Sequence, residues 1–300
     1  MPTKPMLAVD FNPSKANFPY IAMPKIDGVR ALHLLPDLGI TGRSLKSFGN
    51  TLVSDHFSDL PLGLDGELSY GSVTDPALCR TVTSIVSTYD DTRANSLTLN
   101  VFDYVTEETE SLFYINRLHL LSNLPLPSNC RIIPHVVVTD QSQLDYWESR
   151  WLAEGYEGVI LRDPYGTYKN GRTTIRENSY LRIKRFVQED AIVLSITEAM
   201  ENTNPAQTNQ LGHSERSTHQ ANLVPKGMVG SITCRDIKTN SVITIGPGEM
   251  SHEDRIYYFN HPDQLIGKTI SYKSFPKGVK DKPRFPTFVT IRPSQDLVPD

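Results

Sequence analysis

The sequence predicts an α+β protein in two parts, a larger domain of antiparallel sheets and helices followed by a small C-terminal β-barrel. Three observations predict it. Up to about Val187, short β-like runs alternate with polar turns and two stretches of helical spacing. Around residues 186–190 the pattern changes to a series of short β-like runs between Gly and Pro turns. A chain of 300 residues is also long enough for two domains that each bury a core.

In the first part, residues 20–23, 31–35, 97–102, 132–138 and 158–161 read as strands. Residues 110–121 and 143–153 carry apolar side chains at helical spacing and read as helices. In the second part, residues 191–197, 230–234, 242–245, 269–275 and 288–291 read as strands, and an OB-fold barrel fits their number and size. Residues 201–226 are rich in Asn, Gln, Ser and Thr. They are too many for a structureless loop in a compact domain, so they are read as functional or disordered. The expected division is therefore 1–187 and 188–300.

Composition excludes several classes. Hydrophobic residues make up 38% and charged residues 21%, as in soluble globular proteins. No apolar run approaches the roughly 20 residues of a membrane helix, and the N-terminal residues do not read as a secretion signal. The three cysteines, Cys79, Cys130 and Cys234, form no C-x-x-C pair, so neither zinc nor a disulfide framework is expected. The expectation is a reduced, cytoplasmic protein, or one in the cytoplasm or nucleus of a host cell if the source is viral. Net charge is −4, yet residues 268–292 hold seven basic residues against Asp281 alone, interleaved with Tyr272, Phe275, Phe285 and Phe288. Such a segment suits either phosphate binding or a lysine-guarded strand edge.

Chemistry concentrates in Lys25-Ile-Asp27-Gly28-Val-Arg30. On an extended backbone Lys25 and Asp27 face the same side. Gly28 permits a turn or a close approach to the backbone. An amine nucleophile, a carboxylate and a guanidinium so close together suit covalent phosphoryl chemistry. Further short motifs come after it in order: Gly42-Arg43-Ser44-Leu45-Lys46, Leu64-Asp65-Gly66-Glu67-Leu68, Val101-Phe102-Asp103-Tyr104-Val105, Glu157-Gly158-Val159-Ile160-Leu161-Arg162, Leu181-Arg182-Ile183-Lys184-Arg185-Phe186, and Pro283-Arg284-Phe285-Pro286-Thr287-Phe288 with Ile291-Arg292. Read singly, Glu67 could cap a turn, Glu157 could flank one, Phe102 could be core and Arg172 could be solvated.

Taken in order, the motifs resemble those of the covalent nucleotidyltransferases, and most closely the minimal ATP-dependent DNA ligases, over roughly residues 4–292. The resemblance implies a nucleotidyltransferase (adenylation) domain at 1–187 and an OB-fold domain at 188–300, with 201–226 a latch-like DNA-binding insertion. It implies that Lys25 attacks the ATP α-phosphate and carries AMP, in a pocket that lowers its pKa. Asp27 would orient the 3′-hydroxyl and hold metal, and Glu67 and Glu157 would bind ribose or Mg²⁺, with Mn²⁺ an alternative. Met23 would contact adenine through its backbone, Phe102 would stack on the base and Ile160 would pack its other face. Arg30 would bind ribose or the nick backbone, Arg182 and Lys184 the nucleotide phosphate, and Arg43 and Arg172 the nick 5′-phosphate. Arg216, His219, Lys273, Arg284 and Arg292 would contact DNA. The implied partners are ATP and nicked duplex DNA, which a monomer would clamp; no membrane is involved. Three positions depart from the family pattern. Arg182 stands where the first of two lysines is usual, Gly42 where serine is common, and Met23 where a viral member has threonine. A capping guanylyltransferase, an RNA ligase and a non-catalytic nick-binding protein are the alternatives.

Overall fold

The structure, a computed structural model, describes residues 4–208, 214–217, 220–275 and 283–292. The chain divides into two compact units that part between Lys184 and Arg185.

The first unit is built on two five-stranded sheets. Its strands are β1 (Val9–Asp10), β2 (Tyr20–Lys25), β3 (Val29–Leu35), β4 (Gly39–Gly42), β5 (Leu64–Tyr70), β6 (Leu97–Tyr104), β7 (Cys130–Ile132), β8 (Val136–Val138), β9 (Gly158–Arg162) and β10 (Tyr180–Lys184). Four helices accompany them: α1 (Thr51–His56), α2 (Leu78–Ser87), α3 (Tyr114–Ser122) and α4 (Gln141–Glu154). One sheet has the order β1-β10-β9-β2-β8 and the other β4-β3-β5-β6-β7. Pairing is antiparallel except where β1 joins β10 and β6 joins β7.

Local sequence explains these elements. Helix α2 buries Leu78, Val82, Ile85 and Val86, a stripe at helical spacing. Helix α4 starts at Asp140, whose side chain accepts from the Gln143 amide, and ends at Gly155 in the left-handed region. The predicted helix over 110–121 begins only at Tyr114, because residues 106–110 are held in a turn by the Thr109 hydroxyl, which accepts from the Thr106 amide and donates to the Tyr104 carbonyl. The predicted strand over 132–138 is two strands in different sheets. Pro134 lies between them and has no N–H to continue a ladder.

The second unit comprises β11 (Val187–Asn202), β12 (Ala206–Thr208), β13 (Ser214–Arg216), β14 (Leu223–Asp236), β15 (Val242–Ile245), α5 (His252–Asn260), β16 (Thr269–Phe275) and β17 (Arg284–Ile291). Its five-stranded sheet has the order β15-β14-β11-β16-β17. The two end strands meet as well. The Gly246 amide donates to the Pro286 carbonyl and the Phe288 amide to the Gly246 carbonyl, both at 2.9 Å, which closes the sheet into a barrel. Val193, Val229, Ile232, Ile245, Leu265, Ile270 and Tyr272 fill its core.

Strands β11 and β14 stay paired as far as Asn202 and Leu223, so part of the polar 201–226 segment is a β-ribbon. A knot of amides ties it. Asn204, only 4% exposed, donates to the Asn202 side chain at 2.8 Å and to the Ser217 carbonyl at 3.0 Å, and accepts from Asn222 at 3.0 Å. His219, and Lys277, Lys280 and Lys282 of the basic segment, lie outside the described residues.

Candidate active site

The strand register of the first unit assembles the candidate chemistry. Across β2, β9 and β10, Lys25 is opposite Gly158, and Gly158 is opposite Lys184. Two residues earlier on β2, Met23 is opposite Ile160, and Ile160 is opposite Arg182. Side chains two apart share a sheet face. Met23, Lys25, Ile160, Arg182 and Lys184 therefore lie on one face, and the small Gly158 occupies the position between the two lysines. A Cβ on Gly158 would come 2.1 Å from the Ile183 carbonyl oxygen, so this register requires glycine.

On the other sheet, Arg30 of β3 is opposite Glu67 of β5. Gly28 turns the chain from β2 into β3 against β5; a Cβ there would come 2.1 Å from the Leu68 carbonyl oxygen. Arg30 is fixed by a two-pronged pair with Asp65, Nε to Oδ1 at 2.5 Å and Nη2 to Oδ2 at 2.6 Å, and its guanidinium lies 4.7 Å over the Phe102 ring. Phe102, on β6, is 7% exposed, so the core and binding readings of this residue coincide.

Met23, Lys25, Gly28, Arg30, Arg43, Glu67, Phe102, Ile160, Arg172 and Arg182 line one cavity of about 390 Å³. Leu7, Ala8, Ile133 and Tyr180 line it too, with no sequence signal to mark them. Glu157 joins through its charge. Its Oε2 is ion-paired with Lys25 Nζ, and its Oε1 lies 2.6 Å from Lys184 Nζ. The Glu157 amide also donates to the Lys25 carbonyl at 3.1 Å.

These pairings set the protonation states. Burial acts to lower the Lys25 pKa, but Glu157, Glu67 and Asp27 outweigh it and hold the amine above the usual lysine range. The expected lowering is thus reversed, because the register that presents the lysine also places a carboxylate on it. Burial likewise acts to raise Glu157, but Lys25 and Lys184 prevail and hold it below the usual carboxylate range. Burial pushes Glu67 up to about 7 despite Lys25 and Arg30.

Among the described residues no three His, Cys, Asp or Glu side chains form a metal-binding group. Asp27, Glu67 and Glu157 offer separate hard oxygens. That donor set fits Mg²⁺ sharing phosphate oxygens and water, the usual habit of that ion, better than a cage made by protein alone.

The motif residues Asp103 and Arg162 also join Arg117 in a buried network whose long-range pairing the motifs did not announce. Buried Asp103 accepts from Arg117 at 2.8 and 3.0 Å and from Arg162 at 2.8 Å. The Arg162 guanidinium lies 4.2 Å from the Tyr114 ring and 4.3 Å from the Tyr180 ring. No local spacing reveals such long-range partners.

The remaining candidates sit in the second unit and are not gathered into one site. Lys273 is 2.6 Å from Glu249 and lies over Phe186, Arg292 is 3.0 Å from Asp190, and Arg284 stacks 5.3 Å from Phe285. Arg216 donates to the Asn204 carbonyl. Among the described residues no helix is long and apolar enough to cross a membrane.

Comparison with known proteins agrees with this architecture. Residues 223–292 match the family model of the DNA ligase OB-like domain. The chain is similar to the crystal structure of Chlorella virus DNA ligase-adenylate, with 27% identity over 97% of this chain and 100% of that one, at a TM-score of 0.53. It shares the fold of a Lig E DNA ligase, with 20% identity over 96% of this chain and 99% of that one, at a TM-score of 0.72. It also shares that of the ATP-dependent DNA ligase from bacteriophage T7 in complex with ATP, with 16% identity over 97% and 99% of the two chains, at a TM-score of 0.50. A search of curated proteins gave no match. The chain thus resembles the ATP-dependent DNA ligases along nearly its whole length.

Proposed function

We propose that this chain is an ATP-dependent DNA ligase that seals 3′-hydroxyl/5′-phosphate nicks in duplex DNA, in replication, repair or recombination. The observation that carries the reading is the line Lys25–Glu157–Lys184 beside a cavity with an aromatic side, Phe102, an aliphatic side, Ile160, and several arginines. An amine nucleophile next to a second cation and a base-sized apolar slot suits transfer of a nucleotide to lysine.

Lys25 attacks the ATP α-phosphate and displaces pyrophosphate, forming a phosphoramidate. AMP passes to the nick 5′-phosphate, and the 3′-hydroxyl then displaces it to form the phosphodiester. Phe102 and Ile160 hold the base, with Met23 contributing backbone. Glu67 and Arg30 orient the ribose, and Lys184 with Arg182 offsets phosphate charge. Arg43 and Arg172 take the nick 5′-phosphate, and Asp27 orients the 3′-hydroxyl. Mg²⁺ held among phosphate oxygens, Asp27, Glu67 and Glu157 would neutralise phosphate charge. On this reading residues 1–187 are the adenylation domain and 188–300 the OB domain. DNA contacts come from Arg216 of the 201–226 latch and from Lys273, Arg284 and Arg292, in a monomer that clamps the duplex.

The test is covalent labelling with ATP radiolabelled at the α-phosphate, beside GTP and a Lys25→Ala variant, after discharge with pyrophosphate. The labelled protein is then chased with nicked duplex. ATP-specific label that needs Lys25 and leaves as the nick is sealed is the expected result. Label from GTP alone moves the protein to the capping class, and no label after discharge leaves a nick-binding protein.

A further inference from the structure

Three of the arginines that line the cavity are held by one short N-terminal stretch, residues 6–10. Arg30 Nη2 donates to the Met6 carbonyl at 3.3 Å, and Arg172 Nη1 donates to the Ala8 carbonyl at 2.7 Å. Arg182 Nε donates to the Asp10 carboxylate at 2.6 Å. The acceptors are spaced two apart. The residue between the first two is used for anchoring: the Leu7 amide donates to the Gly171 carbonyl, and the Thr173 amide donates to the Leu7 carbonyl, both at 2.9 Å. Alternation along an extended strand accounts for this division of labour. Leu7 and Ala8 themselves line the cavity.

Asp10 is the side-chain member of this set and lies opposite Arg182 in the β1–β10 pairing. Arg182 is also where the chain departs from the lysine usual in the ligase motif. The two facts explain each other. A guanidinium can donate through Nε to a carboxylate and keep its outer nitrogens for a second anion, whereas a lysine presents one point charge to both. We propose that Asp10 is a positioning residue: it orients the Arg182 guanidinium so that its terminal nitrogens meet a phosphate in the cavity. The inference rests on the ligase reading. The phosphate belongs either to the nucleotide or to the DNA, and the assay separates the two.

The sign of the effect is diagnostic. Asp10 is an acidic group beside an anion site, so by charge alone its removal would improve phosphate binding. Orientation predicts the opposite. The assay compares wild type, Asp10→Ala and Asp10→Asn, each with Arg182 and with Arg182→Lys. One arm measures Lys25 labelling against ATP concentration, and the other the sealing of pre-adenylated nicked DNA against DNA concentration. Asp10→Ala is expected to raise KM in at least one arm by about fivefold, the upper range for an exposed pair, with kcat changed by less than about twofold. Asp10→Asn keeps the acceptor oxygen and is expected to restore most of the loss, and the alanine penalty is expected to shrink in the lysine background. An unchanged or lower KM in both arms for Asp10→Ala overturns the proposal. So does failure of asparagine to rescue, or an equal penalty with lysine at 182. A wild-type protein that neither takes label nor seals an adenylated nick defeats the ligase reading itself, an outcome distinct from these.

Discussion

Replacing Glu157 by glutamine removes the carboxylate that bridges Lys25 and Lys184. The amide keeps the shape but leaves two ammonium groups facing a neutral neighbour. Deleting one partner of a buried ion pair costs about 3–5 kcal/mol. Lys25 keeps 18% of its side chain exposed and Lys184 24%, so water relieves part of the penalty, and the low end, about 3 kcal/mol, applies. For a domain of this size each kcal/mol moves the thermal midpoint by about 2–4 °C, so Glu157→Gln lowers it by roughly 6–12 °C at pH 8. The linkage has a definite sign. Glu157 lies below its ordinary 4.5 when folded, so its contribution is present above that pH and fades as pH falls further. Lys25 lies above its ordinary 10.5, so its contribution is complete below that pH and is lost as pH rises through the folded value. The gap between variant and wild type is therefore widest between these limits and narrows below pH 4.5. A second readout is direct: with its carboxylate gone, Lys25 reacts faster with an amine reagent at pH 8. A variant that melts with wild type at pH 8, and whose Lys25 is no more reactive, refutes the account of this pair.

Gly158→Ala sets a Cβ 2.1 Å from the Ile183 carbonyl and pushes β9 from β10, so it is expected to cost about 3 kcal/mol and to reduce Lys25 labelling sharply; thermal melting and labelling check it. Glu67 has a folded pKa near 7 against an ordinary 4.5, so the folded state binds the extra proton and this group's contribution falls as pH rises between those values. Glu67→Gln is accordingly expected to raise the melting temperature, relative to wild type, more at pH 8 than at pH 5, and an equal shift at both refutes the assignment. Lys184→Ala leaves Glu157 wholly to Lys25, so the inflection in the pH–rate profile of Lys25 labelling is expected to move to higher pH; an unmoved inflection counts against charge sharing.

What was legible in the sequence depended on range. The motifs around Lys25, Glu67, Phe102 and Glu157 could be read because each is a short string with its own chemistry. The strands at 269–275 and 242–245 could be read because period and turn residues are local. Strand β5 escaped although it carries Glu67. Helix α2 escaped as well, although the spacing of Leu78, Val82, Ile85 and Val86 at i, i+4, i+7 and i+8 is itself a helical signal. The Asp103–Arg117–Arg162 network joins residues up to 59 positions apart, which no spacing rule encodes. The 201–226 segment was too long for a structureless loop and was read as functional or disordered; among its described residues the side-chain amides of Asn202, Asn204 and Asn222 satisfy one another and the backbone, so polarity there supports a paired ribbon.

The protonation of Lys25 ties these observations together. A nucleophilic amine must give up its proton, yet Lys25 is held as an ammonium by the carboxylate beside it. The second oxygen of that carboxylate is what keeps the arrangement usable. Glu157 divides its charge between Lys25 and Lys184, so on the ligase reading a phosphate oxygen would compete with one shared carboxylate at both lysines. Glu67, poised near pH 7, lies close enough to act on the Lys25 charge without forming its principal ion pair. A phosphate entering the cavity thus meets cations that are already desolvated and oriented by strand register, and its charge competes with Glu157 for the same two lysines. A phosphate beside Lys25 favours the ammonium just as Glu157 does, so on the ligase reading deprotonation requires that added charge to be offset. Once Glu157 is drawn toward Lys184 or a metal ion, burial, which already acts to lower the Lys25 pKa, is opposed by less charge. On the proposed ligase reading, the carboxylate that holds Lys25 as an ammonium would therefore have to loosen its hold before the amine could attack.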